Sequence, residues 1–157
     1  MKKVEYVLLC ILLMALIIPM HETLAVSKQA PAYTHFVYMF GHANVIHWLI
    51  NSVSLVLLTN LISLPRMVTA YVSAVVVSFL LYDDMAVIGA SVFVCWLVGF
   101  MSLWLWNKRR MAFWQMAAAT VIMFFIPGIA AMHHLAMMAA GLIANRVEYL
   151  IADFKRT

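Results

Sequence analysis

Long apolar runs, broken by short polar or Pro/Gly punctuation, set the pattern of this chain. They fall at about 4–19, 45–64, 67–82, 86–106, 111–126 and 129–151. A helix that crosses ~30 Å of hydrocarbon needs ~17 to 25 residues, because each residue advances it by only ~1.5 Å. The pattern therefore predicts six membrane-spanning helices, with the third and fifth near the short end. Runs this continuous specify helices and not barrel strands, which alternate apolar and polar positions over about ten residues.

Composition sharpens the picture. Hydrophobic residues make up 67% of the 157-residue chain and charged residues 10%, against roughly half and a quarter in soluble domains. The fold class is an all-α membrane protein, a single domain over 1–157, because the runs leave almost nothing for a soluble domain. Charge then orients the bundle. Of the ten Lys and Arg, all but Lys28 share one side if the N-terminus is cytoplasmic: Lys2, Lys3, Arg66, Lys108, Arg109, Arg110, Arg146, Lys155 and Arg156. The positive-inside rule thus places both termini in the cytoplasm, and Asp83, Asp84 and Pro127-Gly128 at outer turns. The net charge of +4 is a topology signal and not a nucleic-acid footprint.

Lys2 and Lys3, an apolar stretch and a small-residue site near Thr23, Leu24 and Ala25 also fit a cleaved signal peptide. Retention and cleavage both leave Lys155 and Arg156 inside, so the pattern keeps the two open. Cys10 and Cys95 fall within predicted spans as small apolar residues, with no spacing that supports a disulfide or a metal pair. The thirteen methionines read as lipid-facing or packing residues, with a methionine-lined metal path as the rarer alternative.

Polar side chains inside a span are costly, so each is a candidate functional group. Three clusters stand out. His42, His47 and Asn51 lie at the outer start of the second run, Gly89-Ala90-Ser91 at that of the fourth, and His133 and His134 near that of the sixth. Ser91 is seven residues beyond Asp84 and His134 seven beyond Pro127, which sets both roughly 10 Å below the outer surface. Asn51, four residues after His47, shares its helical face.

A serine that meets a histidine is the minimum for nucleophilic catalysis: the imidazole takes the hydroxyl proton during attack and returns it to the leaving amine. Donors on His47 and Asn51, with the Ser91 backbone N–H, are the kind of group that stabilises an oxyanion. Gly89 would let the backbone approach closely at the mouth of the span. Taken singly, each residue has a plainer explanation. Ser91, Gly99 and Gly141 would be packing residues, His42 and His47 interhelical hydrogen-bonders, and His133 an outward-facing neighbour.

Together the spacings resemble those of the rhomboid intramembrane serine proteases. That family carries a His, a second His five residues on and an Asn four after that, as His42, His47 and Asn51 do. Its Gly-x-Ser-Gly, with a glycine eight residues after the serine, is matched by Gly89-Ala90-Ser91 and Gly99, and its catalytic His with a glycine seven residues on by His134 and Gly141. The resemblance implies the minimal six-span bacterial form, in the inner membrane, with the first span retained. It implies Ser91 as nucleophile, His134 as general base and acid, and His47 and Asn51 at the oxyanion. His42 would brace the loop before the second span, and Gly89, Gly99 and Gly141 would shape the site. The Gly141 register favours His134 over His133.

Activity would need neither metal nor cofactor, and the substrates would be single-span membrane proteins cut near the outer leaflet of the lipid bilayer. Val92, Cys95 and Met137 depart from the family pattern, replacing a glycine, an aromatic residue and a glycine respectively. The loop from about 21 to 41, with Tyr33-Thr34-His35-Phe36, is short and lacks a Trp-Arg pair found in many relatives. Two other functions remain compatible with these residues. One is a rhomboid-like pseudoprotease that binds single-span helices without cutting them, for which Val92 speaks. The other is a small channel, transporter or haem protein using His42, His47, His133 and His134, which needs histidines paired across the bundle near mid-membrane.

Overall fold

A computed structural model of the chain describes residues 3–16, 21–81, 86–123, 125 and 130–155. Its regular elements are helices: α1 Lys3–Leu16, α2 His21–Leu24, α3 Thr34–Val37, α4 Val45–Leu57, α5 Leu64–Leu81, α6 Ser91–Lys108, α7 Arg110–Met123 and α8 Ala131–Phe154. Short 3₁₀ turns follow α3 and α4, at Tyr38–Phe40 and Thr59–Leu61. One isolated antiparallel bridge joins Val26 to Val87 through a pair of 2.9 Å hydrogen bonds. The expected outer turns at Asp83, Asp84 and Pro127-Gly128 lie outside the described residues, as do Lys2 and Arg156.

Three of these helices, α5, α6 and α8, are long and apolar enough to cross a membrane, with 18, 18 and 24 residues. Six spans were expected from the runs, and the differences have local causes. α4 stops at Leu57, seven residues short of its run, where the chain tightens into the 3₁₀ turn and the Thr59 hydroxyl covers the Leu55 and Val56 carbonyls. α5 starts earlier than its run, at Leu64, since Pro65 is tolerated in a first turn where its missing N–H has no helical partner. α6 starts later, at Ser91, because Ala86 to Ile88 are drawn out along Val26 and Gly89 takes a φ of 126° that ends any continuous helix.

α6 is the centre of the molecule. Half of it is buried, against four of the 24 residues of α8, which is consistent with apolar residues on all its sides. Its largest interface is with α8, and two glycines make that contact backbone to backbone. A Cβ on Gly99 would strike the Met138 carbonyl, and one on Gly141 the Trp96 carbonyl. Because Ser91 faces His134 while Trp96 and Phe100 face Gly141, the two helices run parallel. α5 runs against them, since Arg66 in its first turn pairs with Glu148 in the second half of α8 at 2.9 Å. The starts of α6 and α8 therefore occupy one end of the bundle, and Lys108, Lys155 and Arg66 the other.

Most hydroxyls within the helices are returned to their own backbone. Ser52, Ser54, Ser73 and Ser102 each donate to a carbonyl three or four residues earlier, at 2.7 to 2.9 Å, which hides their polarity from apolar surroundings. α1 packs on α4, where the Trp48 indole donates to the Ile11 carbonyl at 3.0 Å.

Candidate active site

Ser91 is the first residue of α6, and its hydroxyl meets an imidazole on another helix instead of a carbonyl of its own. The Ser91 Oγ lies 2.7 Å from His134 Nε2. With the imidazole proton on Nδ1, the serine donates to Nε2, the arrangement that lets the ring accept the proton during attack. His134 is in the first turn of α8 and nearly buried, at 8% exposure. The glycine contacts about two turns further along α6 and α8 hold the two backbones close enough for this pair to form. His133 is buried as well, but the ring that reaches Ser91 is that of His134.

The second element of the site enters from α4. Asn44, in extended conformation, caps this helix by accepting the His47 N–H on its side-chain oxygen at 2.9 Å. This fixes where His47 and Asn51, one turn apart on one face, meet the chain ahead of Ser91. A Cβ built on Gly89 would lie 2.5 Å from His47 Cε1 and 3.6 Å from Asn51 Nδ2. Only a glycine, free to take φ 126° and without a side chain, lets the backbone pass over both groups. Asn51 is buried, and its Nδ2 has no acceptor among the described residues. A buried amide left in that state is costly unless a bound group supplies an acceptor.

His42, expected to brace the loop before the second span, also reaches across to the serine loop. It is fully buried, its ring packs edge-on against His47 at 5.3 Å, and its Nε2 accepts a long 3.5 Å hydrogen bond from the Ala90 N–H. Its brace thus reaches the residue before Ser91. Burial, reinforced by the neighbouring His47, pushes the His42 imidazole down to about 4. Val92, Cys95 and Met137 are all buried in the core beside the site, and the Ser91 to His134 contact forms with them in place.

Two contributors had no counterpart in the sequence reading. Tyr38 is fully buried, donates its hydroxyl to the Ala74 carbonyl of α5 at 3.1 Å, and accepts the Gly89 N–H on its own carbonyl at 3.0 Å. It ties the serine loop to α5. His35 forms a second imidazole–hydroxyl pair, with its Nδ1 3.0 Å from the Ser78 Oγ and its ring stacked on Phe79 at 3.9 Å. Here the serine proton is directed to the Val75 carbonyl at 2.7 Å, so the hydroxyl accepts from the histidine. That pair fastens the loop to α5 and leaves no proton for the imidazole to take.

Among the described residues no three His, Cys, Asp or Glu side chains are grouped so as to hold a metal ion. The chain matches no family model, no curated protein and no solved structure. The chemistry of the site therefore rests on its own geometry.

Proposed function

We propose that this chain is an intramembrane serine protease of the rhomboid type, which hydrolyses a peptide bond of a single-span membrane protein near the outer leaflet. The observation that carries the reading is the 2.7 Å contact between Ser91 Oγ and His134 Nε2 across two parallel apolar helices. Ser91 attacks the scissile carbonyl as His134 takes its proton. The oxyanion accepts hydrogen bonds from Asn51, His47 and the Ser91 N–H, which count for more in a water-poor surrounding. His134 then protonates the leaving amine, and water, activated by the same ring, releases the acyl group from Ser91. With the N-terminus cytoplasmic, as the distribution of Lys and Arg favours, the helix starts carrying Ser91 and His134 lie on the outer side of a bacterial inner membrane, in a six-span bundle whose short members are α1, α4 and α7.

A serine-directed fluorophosphonate tests this. Wild type should be labelled, whereas Ser91→Ala and His134→Ala should not. Labelling that survives in Ser91→Ala would place the reactive serine elsewhere. An unlabelled wild type would favour the non-cleaving helix binder, the second reading, which rests on the buried Val92 next to Ser91.

A further inference from the structure

The opposite end of α6 carries a feature that the proposed chemistry does not use. α6 and α7 are separated by Arg109 alone, whose φ of −146° and ψ of 66° break the helix. Lys108, Arg109 and Arg110 therefore project in succession from a sharp corner, and all three are exposed. Since the 18-residue helix Ser91–Lys108 matches a bilayer-spanning length, this corner falls at a membrane surface. None of the three cations pairs with a carboxylate among the described residues. Arg66 at the same end is the contrast, because Glu148 neutralises it and it stacks on Phe100 at 4.4 Å.

The corner also has an aromatic floor. Trp106, Phe113 and Trp114 contact one another with ring centroids 5.2 to 6.1 Å apart, and the Arg110 guanidinium lies over the Trp106 ring at 5.3 Å. Stacking holds the plane of the guanidinium in place and leaves its N–H edge available to an oxyanion. Trp114 and Met111 are exposed, at 61% and 77%, so the cations border an apolar surface. Indole rings favour the headgroup depth of a bilayer.

We propose that the α6–α7 corner binds the headgroup phosphate of an anionic phospholipid. The three cations take the phosphate, and the Trp106, Trp114 and Met111 surface takes the first part of its acyl chains. An acidic peptide or a nucleic acid would satisfy the charge alone and leave that apolar surface uncovered.

Native mass spectrometry of the detergent-purified full chain, offered equimolar phosphatidylglycerol and phosphatidylcholine, tests the assignment. Wild type should retain phosphatidylglycerol preferentially. With roughly fivefold per surface cation as a guide, Lys108→Gln/Arg109→Gln/Arg110→Gln should lose at least about tenfold of that preference. Trp106→Leu, which keeps every charge, should lose part of it, whereas Arg146→Gln/Lys155→Gln, which removes two cations elsewhere at that end, should keep it. A triple variant with wild-type preference, or an Arg146→Gln/Lys155→Gln variant that loses as much, would overturn the proposal. So would inorganic phosphate displacing the lipid at equal concentration, which would mark a site for the free anion.

Discussion

Ser91 and Ser78 each sit beside an imidazole, 43 residues away in sequence in both cases, yet the destination of the hydroxyl proton separates them. That of Ser78 is held by a backbone carbonyl, and that of Ser91 faces the ring itself. If His47 and Asn51 bind the oxyanion, His47→Ala or Asn51→Ala should lower kcat by about 100-fold or more while the melting temperature stays near wild type, because each removes one donor from the transition state. A large loss of stability with kcat retained would assign them to the scaffold. His42 belongs to the opposite class. Its imidazole titrates near 6.5 when unfolded and near 4 when folded, so the unfolded chain binds the extra proton, and stability present above pH 6.5 is lost as pH falls toward 4. The difference amounts to roughly 3 kcal/mol. Thermal unfolding in detergent at pH 7.5 and 4.5 should show a smaller drop for His42→Gln than for wild type. The meeting of Ser91 and His134 was legible from their equal depth in two runs. The His35–Ser78 pair was not, because a loop histidine has no depth until its loop is docked.

At the scale of helices, the positions of the apolar runs were visible and their ends were not. Hydropathy treats Ala86, Val87 and Ile88 as more of α6, although they lie along Val26, and it cannot register the tightening into a 3₁₀ turn at Thr59–Leu61 that ends the regular helix. The α6–α8 contact was half legible. Gly99 and Gly141 stood out as packing residues, but the distance they allow depends on which carbonyls they face. Gly141→Val should separate the helices and cost about 3 kcal/mol, the upper part of the usual range for overpacking, because the clash is with backbone. Because Ser91 and His134 sit on the same two helices, fluorophosphonate labelling should fall with it. A variant of wild-type melting temperature would show that the interface tolerates a side chain there.

For the whole molecule, charge and geometry give separate accounts of sidedness. The Ser91–His134 and Arg66–Glu148 contacts put one set of helix ends together without reference to charge, and the cations Arg66, Lys108, Arg109, Arg110 and Lys155 fall at the end away from Ser91. In intact cells, and with Cys10 and Cys95 replaced by alanine, an impermeant maleimide should label Gln29→Cys directly and Asn107→Cys only after permeabilisation. The reverse would invert the orientation and place the proposed dyad on the cytoplasmic side.

The Val26–Val87 bridge lies outside every helix, yet it joins the loop leading toward α4 to the segment leading toward Ser91. Its two amide protons are each held by one 2.9 Å bond, so lifting the loop away would release both together. Their exchange with deuterium therefore reports the free energy of lifting the loop from this end of the molecule. It proceeds in the resting protein, so that free energy can be measured with no substrate present.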